Sequence, residues 1–281
     1  MKTILETLDG GTQWLEKKGI EDARRNMQLM MSHQLDCSKI QLYTRFDQGL
    51  AEEDLAPMRE MLKLRGEGVP LQHLLGTVEF FRREFKTDGR ALIPRPETEE
   101  LIEHCLELIP KEGELRILDM GCGSGIIGLT LAAELGDRVV VTCADTSREA
   151  LSLTEENITL LELENVTILE TNLFSNIEGK YDLIVANLPY VPELDRPTLA
   201  PELAHDPDLA LFGGKDGLDI IKEFIQKSTA HLKNNATVAL EIGIHQSSEV
   251  ESLLTAAGFQ QVTTKIDING IARFPIATYT P

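Results

Sequence analysis

A chain of 281 residues exceeds the usual size of one domain, so we expect one large domain and a smaller one. Hydrophobic residues make up 42% and charged residues 26% of the chain, ordinary globular values that argue against disorder. The net charge of −19, from 27 basic and 46 acidic residues, would repel a phosphate backbone, so nucleic acid is not an expected partner.

Cysteine usage and hydropathy favour a reduced, cytoplasmic protein. The N-terminus lacks the apolar run of a signal peptide, and no stretch approaches the roughly 20 apolar residues that cross a bilayer, so no membrane span is expected. The cysteines show no Cys-x-x-Cys spacing and are Cys37, Cys105, Cys122 and Cys143. The histidines show no metal-ligand spacing, so no metal site is expected; they are His33, His73, His104, His205, His231 and His245.

Residues 1–75 carry apolar side chains at helical spacing without a strand signal, which predicts a small helical domain. Gly10 and Gly11 predict that its first helix is interrupted or split. The segment from Arg65 to Pro70 combines glycines with a proline, a pattern typical of a helix stop followed by a connection.

Residues 76–96 predict a β-hairpin that links the two domains. The apolar runs 78–85 and 91–93 flank Asp88-Gly89, and Asp-Gly between apolar runs is a strong hairpin signal. The segment from Pro94 to Glu100 then starts a helix, because proline suits the first turn and acids favour the positive end of the helix dipole.

Residues 97–281 alternate strand and helix patterns, which predicts an α/β domain with a doubly wound, mostly parallel, Rossmann-like sheet. The predicted strands are 115–119, 138–144, 166–169, 181–186, 236–242, 260–266 and 271–279, and the predicted helices are 126–135, 147–162, 216–232 and 247–257. Thr146 and Glu149 have capping-box spacing at one helix start. The long irregular stretch from Val191 to Lys215 is expected to form part of a substrate mouth.

Residues 181–190 predict the active site. The run from Leu183 to Ala186 has the length and β-branched content of a central parallel strand, and ligands bind just beyond the carboxyl ends of such strands. The residues at that end are Asn187, Leu188, Pro189 and Tyr190. They offer a side-chain amide, a backbone carbonyl and a flat ring, which suit a planar amide or amine. Asn and Pro are also ordinary turn residues, so these four residues alone fit a simple turn equally well.

A glycine-rich turn at 119–125 follows an apolar strand and precedes a helix, the context that a nucleotide-type cofactor requires. Asp145, at the end of the next strand, can accept both hydroxyls of a ribose. Residues 123–128 also fit the G-x-G-x-x-G pattern, so the glycines alone do not separate an NAD enzyme from one that uses S-adenosylmethionine. A dehydrogenase would need a proton relay, and the sequence has no obvious His or Tyr-x-x-x-Lys arrangement at a strand end.

Taken together, these segments resemble the class I methyltransferases and, within them, the HemK/PrmC-type release factor glutamine methyltransferases. The similarity covers nearly the whole chain. The segments that carry it are 72–76, 79–81, 92–99, 119–125, 187–190, 210–218 and 241–243. The form Arg-Pro-Glu-Thr-Glu at 95–99 is more similar to the release factor enzymes than to their relatives that act on a ribosomal protein glutamine.

The resemblance implies the cofactor, the acceptor and their residues. The cofactor would be S-adenosylmethionine, bound by Gly121, Cys122, Gly123, Ser124, Gly125, Asp145, Asn172, Leu173 and Asn187. The acceptor would be the glutamine of a Gly-Gly-Gln loop in peptide chain release factors, held by Asn187, Leu188, Pro189 and Tyr190. We expect the helical domain 1–75 to grip this protein partner, and the methyltransferase domain to span 97–281.

The chain departs from the family pattern at three places. Leu188 replaces a proline in Asn-Pro-Pro-Tyr, which puts the rigidity of the loop in doubt. Asn172 replaces an acid expected near the adenine, and Asp206-Pro207 replaces a Glu-Pro pair. Each departure leaves in place the groups that the chemistry needs.

The expected mechanism needs neither a metal nor a general base, because alignment of the reacting atoms alone lowers the barrier. Two alternatives remain open. The same loop occurs in adenine N6 methyltransferases, which would make DNA or RNA the substrate. A protein that binds the cofactor but has lost activity is the other alternative, and it rests on Leu188 and Asn172.

Overall fold

The computed structural model of the protein describes residues 2–280. The predicted domains begin at residue 1 and end at residue 281, and these two residues lie outside the described part. The chain folds into two compact units. The first unit comprises the chain up to Thr77 together with Pro201–His205, and the second comprises Val78–Ala200 and the chain from Asp206 onward.

The first unit is helical. Its helices are α1 (Ile4–Lys17), α2 (Ala23–Gln34), α3 (Lys39–Thr44), α4 (Glu52–Gly66) and α5 (Leu71–Leu75). Thr3 and Ser38 close the first turns of α1 and α3 as capping boxes, each accepting a backbone N–H three residues on. The core of the unit includes Ile4, Leu8, Leu15, Met27, Met30, Met31 and Leu42. The methionines of α2 are therefore core residues of this unit.

The predicted break of the first helix at Gly10-Gly11 is wrong, because α1 is continuous through both glycines. Gly11 is buried, and a Cβ there would collide with the Met27 side chain. Gly10 has open space around its Cα. The second glycine thus marks a close approach of α1 to α2, which sequence spacing alone does not distinguish from a helix break.

The predicted position of the hairpin turn is also wrong. The strands are β1 (Thr77–Phe80) and β2 (Arg83–Lys86), so the turn is at Phe81-Arg82, where both residues have positive φ. The Phe81 N–H donates to the Glu99 carboxylate at 2.9 Å. This turn lets Phe80 and Phe85 meet edge to face in the core, with ring centroids 6.2 Å apart. Residues 91–93 form no strand.

The second unit alternates helices and strands after the hairpin. These elements are α6 (Glu97–Leu108), β3 (Leu115–Met120), α7 (Ile126–Leu135), β4 (Val139–Asp145), α8 (Arg148–Leu160), β5 (Val166–Glu170), β6 (Tyr181–Asn187), α9 (Asp208–Leu211), α10 (Asp219–Ser228), β7 (Leu232–Glu241), α11 (Ser247–Ala256), β8 (Phe259–Ile266) and β9 (Ala272–Tyr279). The sheet order is β5-β4-β3-β6-β7-β9-β8, and β9 runs antiparallel to the other six strands of this sheet. The predicted doubly wound, mostly parallel sheet is confirmed.

Successive residues of the central strands enter two separate cores, one on each face of the sheet. Leu183 and Val185 of β6 join a cluster with α6, α7 and α8, whereas Ile184 and Ala186 join a cluster with α10 and α11. The strand is therefore buried on both faces, which explains its continuous apolar run.

Some boundaries differ from those predicted. The helix α8 is capped by Ser147, whose Oγ accepts the Ala150 N–H, and not by Thr146. The helix α10 ends at Ser228 instead of 232, since β7 already begins at Leu232. No helix in residues 2–280 is long and apolar enough to span a membrane.

The stretch from 191 to 215, predicted to be irregular, contains ordered elements. The helix α9 lies in it, as do the 3₁₀ helices Glu193–Thr198 and Pro201–His205. A single bridge pairs Val191 with Phe212, so the two ends of the stretch meet beside the end of β6.

The contrast between the two glycines of α1 gives a stability test. We expect Gly10→Ala to raise the free energy of unfolding by about 1 kcal/mol, because alanine favours the helix and meets no neighbour. Gly11→Ala is expected to lower it by about 1–3 kcal/mol through overpacking against Met27. Urea unfolding followed by the fluorescence of Trp14, which lies in α1 and is the one tryptophan of the sequence, measures both. Equal effects of the two substitutions would contradict the close packing.

Candidate active site

The carboxyl ends of β3, β4 and β6 meet at one edge of the sheet because the strands pair in parallel register. Met120 pairs with Ala144 on one side and with Ala186 on the other. Beyond this edge lies a cavity of about 380 Å³. The predicted site residues that line it are Gly121, Cys122, Gly123, Ser124, Asp145, Asn172, Leu173, Asn187, Leu188 and Pro189. Gly125 and Tyr190 are not among its lining residues.

The glycine-rich turn is fastened to the end of β4. The Gly121 and Cys122 N–H groups donate to the Ala144 carbonyl at 2.7 and 3.1 Å. Gly121 and Gly123 have φ of +70° and +56°, which glycine adopts without strain. The turn can therefore present backbone to the cavity where other residues would present a Cβ.

Asp145 connects the turn to the start of α8. One carboxylate oxygen accepts the Gly123 N–H at 2.9 Å, and the other accepts the Ser147 N–H at 2.9 Å. Each oxygen can accept a second hydrogen bond. The carboxylate can thus hold the turn in place and still bind two hydroxyls of a ligand in the cavity.

Asp119 is a buried carboxyl at the end of β3. Its Oδ2 accepts the Gly128 N–H at 2.7 Å, while its Oδ1 is buried without a hydrogen-bond partner in the described part of the chain. Burial raises the pKa of Asp119 to about 7, the Gly128 hydrogen bond opposes this, and the charge of Asp145 adds to it. Asp119 therefore titrates near neutral pH.

Leu188 joins the two loops of the site. It is buried, and its Cδ2 lies 2.8 Å from the position that a Cβ on Gly121 would occupy. At the position of the family proline, this chain thus has a leucine whose side chain makes an apolar contact with the glycine-rich turn. A glycine at 121 is needed for this contact as well as for the turn.

The carbonyls of Pro189 and Tyr190 are covered by the segment that follows α9. A Cβ on Gly213 would collide with the Pro189 oxygen, and one on Gly217 with the Tyr190 oxygen. Gln246 donates its Nε2 to the Tyr190 oxygen at 2.9 Å and accepts the Gly243 N–H at 2.8 Å. These contacts explain the glycines at 213 and 217.

Tyr190 is the last residue of the loop and does not line the cavity. Its ring is partly buried, and its Cδ2 is 3.1 Å from where a Cβ on Gly243 would stand. Burial and the negative charge of Glu241 raise the pKa of Tyr190 to about 12, so its hydroxyl stays neutral at physiological pH. Its predicted contact with the acceptor amide stays a prediction.

Asn187 is linked to two side chains that sequence reasoning did not place in the site. Its Nδ2 lies 3.5 Å from Thr98 Oγ1, and Thr98 donates to Glu241 Oε2 at 2.7 Å. Both partners are buried, and burial raises the pKa of Glu241. Thr98 and Glu241 belong to segments that carry the family resemblance, and this membership could have identified them as site residues from the sequence. Gln246 gave no comparable signal.

The residues present fit a nucleoside-type cofactor. The cavity has the volume of a small-molecule site, it borders Gly121 and Gly123 at positive φ, and Asp145 has spare acceptor capacity at the strand end. Within residues 2–280, no group of three or more His, Cys, Asp and Glu side chains could hold a metal ion.

The class of the protein follows from its matches to two protein families and to a solved structure. The family models that match are the PrmC N-terminal domain over residues 6–76 and the methyltransferase small domain over residues 100–271. The crystal structure of a methyltransferase from Pyrococcus furiosus superposes with a TM-score of 0.54 at 16% identity, covering 72% of this chain and 91% of that one, and shares the fold. The protein is a methyltransferase, and its predicted cofactor, S-adenosylmethionine, is confirmed.

The full-length relatives define the family. The release factor glutamine methyltransferase of Deinococcus radiodurans is 35% identical over 96% of this chain and 96% of its own. That of Geobacter sulfurreducens is 35% identical over 96% of this chain and 95% of its own. The chain belongs to the release factor glutamine methyltransferase family, as the sequence motifs predicted.

Removal of the Asp145 carboxylate is expected to weaken S-adenosylmethionine binding by about 2 kcal/mol or more. The substitution Asp145→Ala removes charge-assisted acceptors for the ribose and loosens the turn at Gly123. Titration calorimetry measures the affinity, with Glu155→Ala on the exposed face of α8 as the matched control. Unchanged affinity in Asp145→Ala would place the ribose elsewhere.

Asp119 is expected to make stability depend on pH. Its folded pKa of about 7 exceeds the value of 3.8 expected for an unperturbed aspartate, so its contribution to stability is complete below about pH 4 and is lost as pH rises to about 7. Asp119→Asn keeps an oxygen for the Gly128 N–H and does not titrate. The Tm of the variant relative to wild type should therefore increase with pH up to about 7 and then level off. A Tm difference that is constant from pH 4 to 8 would contradict the assignment.

Proposed function

We propose that the chain transfers the methyl group of S-adenosylmethionine to the side-chain amide nitrogen of the glutamine in the Gly-Gly-Gln loop of peptide chain release factors. The observation that carries this is the placement of Asn187 and Leu188 at the carboxyl end of β6, both lining the cavity beside the glycine-rich turn. Membership of the family supports the release factor as the protein substrate. A cytoplasmic location belongs to the same proposal.

The difficulty of the reaction is the nucleophile. The lone pair of a carboxamide nitrogen is delocalised into its carbonyl, so the nitrogen attacks weakly. S-adenosylmethionine would supply an electrophilic methyl group when bound, its sulfonium leaving as the neutral thioether while one amide proton is released to water. The Asn187 side-chain oxygen and the Leu188 carbonyl accept the two amide N–H groups and hold the nitrogen in place. Alignment of reacting atoms about 3 Å apart contributes several kcal/mol without a charged base.

Leu188 supplies the carbonyl for a structural reason. The next two carbonyls, of Pro189 and Tyr190, are covered by Gly213, Gly217 and Gln246. Pro189 also restricts the backbone of Leu188 to extended geometry. Among the carbonyls of residues 188–190, this leaves that of Leu188 for an acceptor.

Exposed apolar side chains support a protein acceptor. Leu209 lines the cavity and is 72% exposed, and Leu194 in the same loop region is 77% exposed. In the helical unit, Ile40 and Tyr43 of α3 are also exposed. Single exposed apolar side chains are common on protein surfaces. Leu209 bears on the acceptor because it lines the cavity, and we infer that the stretch 191–215 and the helical unit contact the release factor.

Neither alternative function is favoured. An adenine N6 methyltransferase would have to bring a polyanion to a protein of net charge −19. A cofactor-binding protein without activity was suggested by Leu188 and Asn172. Leu188 is buried without steric conflict against Gly121, and the carbonyl it supplies is common to every residue type.

Side-by-side methyl transfer tests the proposal. Radiolabelled S-adenosylmethionine is offered with whole release factor, with a ribosomal protein that carries an accessible glutamine, and with DNA. We expect label in the release factor alone, and its loss when the glutamine of the Gly-Gly-Gln loop is replaced. Label in DNA, or label that survives that replacement, would overturn the proposal.

The two residues of the loop are expected to respond very differently to substitution. Asn187→Ala removes the acceptor that orients the nucleophile and should lower kcat by more than about 100-fold. Leu188→Pro keeps the carbonyl and exchanges the Gly121 contact for a stiffer ring, so kcat should change by less than about tenfold, equivalent to about 1.4 kcal/mol in the barrier. Both are assayed on one release factor with saturating cofactor. A nearly silent Asn187→Ala would refute the amide grip.

A further inference from the structure

The Asn187 amide lies beside two hydrogen-bond acceptors. Thr98 donates its single hydroxyl hydrogen to Glu241 Oε2 at 2.7 Å, so toward Asn187 Nδ2, 3.5 Å away, it acts as an acceptor. Glu241 is paired with Asn187 in the register of β6 and β7, and the Asn187 side chain helps to lower the pKa of Glu241. As a carboxylate, Glu241 is an acceptor only.

This arrangement decides which end of the amide faces the acceptor. The two ends of an asparagine amide have nearly the same shape and differ in hydrogen-bond polarity, so packing alone does not choose between them. We propose that Thr98 and Glu241 are positioning residues, which hold the Asn187 nitrogen and thereby turn its oxygen toward the cavity. This proposal rests on the proposed function, because the N–H groups of a glutamine amide need an oxygen there.

Ionisation of Glu241 is part of this arrangement. Burial raises the pKa of Glu241, and the nearby Glu97 adds to this effect; the Thr98 hydroxyl and the positive charge of Arg273 oppose it. Tyr190, which is neutral, also lies near Glu241. A protonated Glu241 can donate to Thr98 or to the Asn187 oxygen. The Asn187 side-chain amide can then flip, so that its nitrogen faces the cavity. Activity should therefore fall on the acid side as Glu241 takes up its proton.

Four substitutions separate positioning from general stability. Thr98→Val removes the hydroxyl, and Glu241→Gln supplies the donor that a protonated carboxyl would supply. Thr98→Ser keeps the hydroxyl and should restore function. The matched control is Thr130→Val, since Thr130 is also buried and, among residues 2–280, its hydroxyl bonds only to the Ile126 carbonyl of its own helix.

Kinetics on whole release factor with saturating S-adenosylmethionine give the first measurement. We expect kcat to fall about 10- to 100-fold in Thr98→Val and Glu241→Gln, with little change in KM, because the lost group orients the nucleophile and hardly contributes to binding a whole protein. Thr98→Ser and Thr130→Val should stay near wild type. The acid limb of the pH profile should be present in wild type and absent in Glu241→Gln.

A second measurement does not depend on turnover. The side-chain amide resonance of Asn187, assigned by its loss in Asn187→Asp, should shift with pH in isotope-labelled wild type and stay constant in Glu241→Gln. Calorimetry should show that all four variants still bind S-adenosylmethionine, which reports an intact fold.

The two proposals fail in different ways. A wild type that does not methylate release factor overturns the proposed function, while the resonance still reports whether Glu241 controls the amide. An active wild type whose kcat and acid limb are unchanged in Thr98→Val and Glu241→Gln overturns the positioning role and leaves the function standing.

Discussion

The parallel register of β6 with its two neighbours is the constraint on which the site depends. From Leu183 onward the pairing is regular, so that Ala186 lies opposite Met120 and Asn187 opposite Glu241. Because side chains alternate between the faces of a sheet, a slip by one residue would exchange the two cores and turn Asn187 away from its partners. Polar groups from strands far apart in sequence meet at one edge only in this register.

The one irregularity of that pairing lies at the opposite end of the strand. Between Tyr181 and Leu183 the register to β7 shifts, and Asp182 is the residue at this shift. Its carboxylate accepts the Arg116 N–H at 2.8 Å and the Lys233 ammonium at 2.7 Å, so it binds both neighbouring strands. The side chain thus compensates for the lost ladder bonds, and the disturbance does not reach Asn187.

Local patterns were enough to predict the strands and not enough to predict the contacts between them. The apolar run 183–186 identifies a doubly buried strand because burial on two faces leaves a signal in consecutive residues. The helix α7 also has consecutive buried residues, and it has its predicted bounds of 126–135. The Asn187 to Tyr190 loop and the glycine-rich turn could be assigned to one site for a topological reason, since both follow parallel strands.

The errors share one physical cause, which is that long-range packing decides between local alternatives. The sequence around Gly11 predicts a helix break, whereas the structure shows that this glycine makes room for the Met27 side chain. Asp88-Gly89 has better hairpin chemistry than Phe81-Arg82, but only the latter turn buries Phe80 and Phe85 together. Interactions over 143 residues, such as that of Thr98 with Glu241, leave no local periodicity at either end.

The charged groups near Glu241 explain how its buried side chain can remain ionised. Arg273 lies near Glu241 and favours its ionised form, and Arg273 is itself held by Asp267 at 2.8 Å. Asp267 is buried and also accepts the Asn269 and Ile271 N–H groups. An unpaired buried carboxylate would be costly, whereas one set among an arginine and a hydroxyl is tolerated. The turn between β8 and β9 therefore contributes to the chemistry of β6, because it fixes the arginine whose charge keeps Glu241 an acceptor.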